Sequence, residues 1–250
     1  MSMLEEQQLQ KRLAELAEQS YQNNTYYFTD FLSEGDAALV YSVAEDMDFA
    51  LWGGAEGCER VIIRFGNPED FGYEIPFPIQ LLKIEPLIKK FSDELTHRDF
   101  LGALMNLGIE RDTIGDIVVK ERTGYVFVVE RIGDYIRENL GQIKHTHVKC
   151  QVLEDMPEEV KPQLEPIELI VSSIRMDSII SKLYRLSRNQ SLDLFRKKLV
   201  LVNGRVFENN SGNPKDGDVV AVRGHGKFVF RGVQHDTKKG KQAILVERYV

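Results

Sequence analysis

Four punctuation marks stand in order between Arg175 and Asp218, and they leave this stretch little choice of fold. Arg175-Met176-Asp177 opens a segment in which Ile179, Ile180, Leu183 and Leu186 recur at helical spacing. Ser187-Arg188-Asn189-Gln190 is a capping box: the Ser oxygen can accept the N–H three residues on, and the Gln side chain can reach back to the N-cap N–H. A second helix is therefore predicted from Arg188, burying Leu192 and Phe195 and ending in Arg196-Lys197-Lys198. Val200-Leu201-Val202 then runs into Asn203-Gly204, a dipeptide that tolerates the positive φ angles of a two-residue hairpin turn. Lys215-Asp216-Gly217-Asp218 turns the chain into a strand from Val219 to Arg223, followed by Gly224-His225-Gly226-Lys227.

The same stretch holds the positive charge. The chain of 250 residues has a net charge of −7, but residues 175–250 carry 16 Lys+Arg against 7 Asp+Glu, net +9, and residues 1–174 carry 16 against 32, net −16. A compact basic module attracts polyanions and an acidic body repels them, so contact with nucleic acid should be oriented by the C-terminal end. The two helices would turn Lys182, Arg185, Arg188, Arg196 and Lys197 towards phosphates, with Arg175 at their start. The helix N-terminus at Ser187 would add backbone N–H groups and a positive dipole end. Lys198, Asn203, Arg205, Arg223, His225 and Lys227 complete the candidate RNA-binding set. An A-form duplex hides most base edges in a deep, narrow groove, so shape and phosphate contacts should dominate. The competing reading of these residues is a solvated basic face.

Upstream, the pattern predicts an α+β chain of several domains. Residues 3–20 have Leu4, Leu9, Leu13, Leu16 and Ala17 at helical spacing, and a second helix is predicted from near Thr29, carrying Phe31, Leu32, Ala38, Leu39 and Val43. Phe49 to Trp52 and Val61 to Phe65 read as strands around the Gly53-Gly54 turn. Residues 1–77 thus form a small acidic α/β unit. Residues 78–155 give strand, helix, strand, strand, helix, strand, the order of the ferredoxin-like split motif that RNA-recognition domains use. Met156 to Pro166 has three prolines and no apolar period, so 156–174 is expected to be a linker before the basic module at 175–250.

Other constellations are weaker. Thr123-Gly124-Tyr125-Val126-Phe127 partly matches a base-stacking strand, but Ile79 to Ile84 offers no aromatic partner, so Tyr125 and Phe127 are expected in a core. His145 and His147 lack a third ligand and make a poor metal site. No dinucleotide or P-loop fingerprint occurs, so no cofactor is expected and catalysis is disfavoured. Cys58 and Cys150 form no close pair, and the start is acidic and polar rather than a secretory leader. Both point to a reducing cytoplasm. No stretch approaches a membrane span.

Arg175-Met-Asp177, Ser187-Arg188, Val200-Leu-Val-Asn-Gly204 and Gly217-Asp218 resemble, in order, the alpha-L RNA-binding motif named after ribosomal small-subunit protein S-four. The departure is Lys198, where that family usually has Gly. Over nearly the whole chain, Gly53-Gly54 before Glu59-Arg60, His97-Arg-Asp-Phe-Leu-Gly102, Leu107-Gly-Ile-Glu-Arg111, Ile114-Gly-Asp-Ile117 and Thr237-Lys-Lys-Gly-Lys241 resemble the bacterial YlmH family. That resemblance implies non-catalytic binding of structured RNA: rRNA of the large ribosomal subunit and tRNA, in ribosome-associated quality control. It also implies a link to cell division. Separately, the acidic 1–77 unit could dock a protein partner, including a division protein. An RNA-modifying enzyme and a division-linked scaffold are the alternatives.

Overall fold

The computed structural model describes residues 3–44, 47–237 and 240–249. It divides into two compact units, Met1–Lys161 and Pro162–Val250.

The first unit opens with α1 (Met3–Asn23), which turns Leu13, Leu16, Ala17 and Ser20 inward. It ends where Asn24 takes a left-handed φ of 47° and the Ser20 hydroxyl donates to the Thr25 carbonyl at 2.8 Å. Strands β1 (Tyr27–Phe28) and β2 (Leu32–Ser33) lead to the short helices α2 (Glu34–Ala37) and α3 (Val40–Val43). The helix expected from Thr29 therefore starts later. Ser33 caps it by accepting the Asp36 N–H at 3.2 Å, while the Phe31 N–H bonds the Asp112 carbonyl and Leu32 pairs with Val61. Long-range strand pairing has overridden a local helical pattern. β3 (Phe49–Trp52) precedes β4 (Arg60–Phe65), the hub that pairs antiparallel with β1, β2 and β3, and α4 (Pro68–Phe71) follows.

Next come β5 (Ile79–Pro86), α5 (His97–Asn106), β6 (Ile114–Lys120), β7 (Thr123–Val129), α6 (Glu130–Asn139), β8 (Gln142–Ile143) and β9 (Thr146–Leu153). Their antiparallel sheet runs β6-β7-β5-β9-β8. Glu121 and Arg122, with φ of 47° and 68°, make the tight β6–β7 turn. Period-2 alternation gives this sheet two apolar faces. Leu82, Ile84, Val126 and Val128 pack beneath Phe100, Leu104 and Ile136 of the two helices. Leu81, Tyr125, Phe127 and Val129 face the other way and are covered by Phe31, Ile62, Met156 and Val160. Tyr125 and Phe127 are consequently 7% and 2% exposed, core residues rather than a stacking platform. A core around Leu13, Leu16, Val40 and Ile63 lies wholly before the expected boundary at 77/78 and that of Leu82, Phe100 and Ile136 wholly after it, but the cluster of Phe31, Ile62, Tyr125 and Phe127 spans it. Arg60 donates to the carbonyls of Ile114 (2.8 Å) and Phe31 (2.7 Å), and Asp116 accepts the N–H groups of Glu59 and Arg60.

The second unit corrects the expected linker. Its first strand, β10 (Leu164–Val171), pairs over all eight of its residues with β15 (Gln242–Tyr249). α7 (Met176–Leu183), α8 (Arg188–Arg196), β11 (Val200–Val202), β12 (Arg205–Val206), β13 (Val219–Val222) and β14 (Gly226–Asp236) lie between them. The sheet order is β10-β15-β14-β13-β11-β12, which makes β10 an edge strand, where Pro166 is tolerated. Leu169 and Val171 alternate into a core shared with Met176, Ile179, Ile180, Val220, Phe228 and Ile244. In α8 the buried pair is Leu194 and Phe195, and Leu192 is only half-buried.

Candidate RNA interface

The basic module is built around a polar joint between its two helices. Arg175 is the N-cap residue of α7, and its guanidinium forks onto the Asp177 carboxylate at 3.0 and 2.6 Å. Burial pushes the Asp177 carboxyl up, but the donors Arg175 and Asn210 outweigh it and leave it below the usual carboxylate range. The Met176 and Asp177 N–H groups bond the carbonyls of Gly212 and Asn210, and the Ser191 hydroxyl bonds the Asp177 carbonyl at 2.9 Å. Arg175-Met-Asp177 thus fastens α7, α8 and the 208–212 turn together. Arg175 was expected to face phosphate, and its charge is already matched within the protein.

Around that joint the surface is cationic and rich in hydroxyls. A hollow of about 530 Å³ is lined by Ser172, Ser178, Ser181, Lys182, Arg185 and Lys241, among others. A neighbouring one of about 340 Å³ shares those three serines and adds Ser173, Arg175 and Arg188. The only carboxylate in either lining is Asp177, which Arg175 holds. Cations and short hydroxyls are the side chains that position a protein on a sugar-phosphate backbone. Local geometry fixes the two arginines. Arg185 takes a φ of 54° where α7 ends, braced by the Leu186 N–H on the Ser181 carbonyl (2.9 Å) and by the Ser181 hydroxyl on the Leu186 carbonyl (2.7 Å). Arg188 is the first residue of α8, placed by the capping box, with Ser187 N–H to Gln190 Oε1 at 2.8 Å and Gln190 N–H to Ser187 Oγ at 3.3 Å.

The other expected residues lie outside these hollows. Arg196 pairs with Asp193 at 2.9 Å and Lys198 with Glu208 at 2.6 Å, while Lys197 is exposed with no ion pair among the described residues. Lys198 does adopt the left-handed conformation that the missing Gly would have supplied, with φ 55°. Asn203 spends both ends of its amide internally, donating to Asp218 and accepting the Val219 N–H at 2.9 Å each, so it pins the hairpin turn to β13. Arg205 is exposed on β12. Arg223, His225 and Lys227 cluster at the β13–β14 turn. There the Arg223 N–H bonds the Leu199 carbonyl, the His225 ring lies 5.5 Å from Tyr184, and Lys227 Nζ lies 5.3 Å over the Tyr249 ring. Burial pushes the Tyr184 hydroxyl up to about 12.

The structure therefore gathers Arg175, Lys182, Arg185 and Arg188, and it adds Ser172, Ser173, Ser178, Ser181 and Lys241, which sequence reasoning missed. A signal was available for part of this set: Ser178, Ser181, Lys182 and Arg185 follow the i, i+3, i+4, i+7 spacing of one helix face. Ser172 and Ser173 fell in the supposed linker. Lys238 and Lys239 lie outside the described residues.

Residues 73–156 match the family model described as "Putative RNA-binding domain in YlmH". Over 229 residues the chain is 29% identical to "Ribosome-associated protein quality control protein P2" of Bacillus subtilis (strain 168), covering 88% of this chain and 86% of that protein. By these two matches the chain is similar to proteins of the YlmH family. The cell division protein ylmH from Streptococcus pneumoniae shares the fold at a TM-score of 0.50 and 22% identity, over 61% of this chain and 93% of that one. In this chain the family-model match lies on the middle sheet and its helices, whereas the hydroxyl-lined cationic hollows lie on the second unit. No described helix is long and apolar enough to cross a membrane, and no group of three or more His, Cys, Asp or Glu among the described residues could hold a metal ion.

Proposed function

We propose that this protein is a non-catalytic RNA-binding factor of the large ribosomal subunit. Its role is in ribosome-associated quality control in the cytoplasm, with rRNA as the main ligand and tRNA as a further one. We read residues 175–250, completed by β10, as an alpha-L module, and the middle sheet with α5 and α6 as ferredoxin-like. The observation that carries the reading is the pair of adjoining hollows between α7, the start of α8 and the end of β10. There Lys182, Arg185, Arg188 and Lys241 stand among four serines with no unmatched carboxylate in the lining. The name of the Bacillus subtilis relative supports the ribosomal setting. Phosphate recognition by such a surface depends on counterion release, so it should weaken steeply with salt.

Sedimentation of the full chain with separated ribosomal subunits across a salt series tests this. Salt-sensitive co-sedimentation with large subunits, lost in an Arg185→Ala/Arg188→Ala variant, is expected. Binding that ignores salt and both substitutions would overturn the reading.

A further inference from the structure

The sheet face on which a ferredoxin-like domain could stack bases is closed here by Phe31 and Ile62. The most exposed of the large apolar side chains in this region stand on the loop after β5. Leu87 is 59% exposed, Ile88 62% and Phe91 79%, with Lys89 and Lys90 between them. The loop is braced rather than slack. The Leu87 N–H bonds the His147 carbonyl at 2.9 Å, the Asp93 N–H bonds the Thr146 hydroxyl at 2.8 Å, and the Lys89 carbonyl accepts from Ser92 (2.9 Å) and Arg122 (3.0 Å). Holding such side chains out in solvent forgoes burial, and an exposed apolar patch of this kind marks an interaction site.

The local charge narrows the partner. The neighbouring acids are already engaged: Glu94 by Arg122 at 2.6 Å, Asp99 by Lys144 at 2.8 Å, and Asp93 by the His145 N–H and the Thr146 hydroxyl. Lys89, Lys90 and Arg98 have no ion pair among the described residues. Lys90 Nζ sits 5.7 Å over the Phe91 ring. Beside the loop, Arg98, Lys144 and His147 line a polar hollow of about 790 Å³. Uncompensated positive charge around an exposed aromatic ring, within residues 1–174 whose net charge is −16, complements a polyanion with free π-faces. A protein partner covering Phe91 would have to desolvate two adjacent lysines, a residue type depleted in protein interfaces.

We propose that the Leu87–Phe91 loop is a second RNA contact, selective for unpaired nucleotides. Phe91 takes a base on its face, and Lys89, Lys90 and Arg98 take the flanking phosphates. A ring can stack only on a base whose own face is free, so a regular duplex cannot use it. The inference rests on the reading that the chain acts on RNA, and it places single-strand recognition on the first unit and duplex recognition on the second.

The test uses the full chain with a 12-nucleotide mixed-sequence single-stranded RNA, a 12-base-pair RNA duplex, extracted large-subunit rRNA and intact large subunits. Phe91→Ala and Lys89→Ala/Lys90→Ala should each weaken single-strand binding by about tenfold, a modest return for one stacked base or two phosphates, and leave duplex affinity unchanged. Arg185→Ala/Arg188→Ala should do the reverse. An unchanged melting temperature, expected for so exposed a ring, excludes misfolding as the cause. If the loop variants hold single strands as tightly as the parent while the Arg185/Arg188 variant loses the duplex, this proposal fails and the RNA reading stands. If neither RNA is bound, both fail. Weakened binding to intact subunits with unchanged binding to extracted rRNA would also overturn the proposal and assign the loop to a protein.

Discussion

At the scale of single residues, the basic module shows how identical charges acquire different jobs. Arg175 and Arg188 both line the smaller hollow, yet Arg175 is clamped on Asp177 and Arg188 has no ion pair among the described residues. Arg188→Ala should therefore weaken binding to matched and scrambled duplexes alike and flatten the salt slope by about 0.9, the value of one phosphate contact. Filter binding at several salt concentrations measures it, and a loss confined to one base sequence would show base reading instead. Arg175→Ala should instead lower stability, because it leaves the mostly buried Asp177 carboxylate short of its main donor. Lys198 is a different case. It holds a φ of 55°, a conformation in which a side chain crowds the backbone and glycine does not, and its ion pair with Glu208 is exposed on both sides. Lys198→Gly should raise the melting temperature, as calorimetry would record. A drop would mean that the Glu208 contact outweighs the backbone strain.

At the scale of elements, the middle sheet works because both of its faces are sealed. Phe127 is 2% exposed, and a Cβ built on Gly54 would come within 2.3 Å of its ring, so the β3–β4 turn lies directly against it. Phe127→Ala should cost about 3–5 kcal/mol in denaturant unfolding, the range for deleting a buried aromatic ring. If stability holds while RNA affinity falls, the ring is a stacking surface after all. Helix α5 depends on a charge at its start. The Lys144 ammonium on Asp99, then the N–H and hydroxyl of Thr96, hold that carboxyl down at about 2. A depressed folded-state pKa gives stability that is complete above the ordinary carboxylate range and is lost as pH falls through the folded value. Asp99→Asn should therefore melt lower than the parent at neutral pH, and the gap should close between about pH 4 and pH 2. A gap independent of pH would show that the contacts act through shape, not charge.

For the whole molecule, the two units divide at Lys161/Pro162, ahead of the basic run rather than at its start. A fragment beginning at Arg175 lacks β10, which leaves all of β15 unpaired on one side and strips Leu169 and Val171 from the core. Burying each such side chain is worth about 1.5–3 kcal/mol. Residues 162–250 should give a cooperative thermal transition and bind the RNA duplex, whereas 175–250 should melt broadly or aggregate. Equal stability of the two fragments would make β10 an ornament of the sheet.

What the chain's order alone determined were the features set by neighbours within a turn or two. The capping box at Ser187, the Asn203-Gly204 hairpin and the alternation of β5, β7 and β9 are all written as short-range patterns, because capping, positive φ and side-chain period are local properties. Tertiary structure decided the rest. Phe31 and Leu32 left a helical pattern for strand pairing because their partners lie about 30 and 80 residues away, and nothing local signals such partners. The 164–171 segment hid its strand behind the three prolines and three glutamates between Met156 and Pro166, and only an edge position beside β15 makes that composition workable. The serines of the cationic hollow came together for the same reason. A concave surface is assembled from the end of one strand and the faces of two helices, and its depth depends on distances that no sequence interval encodes.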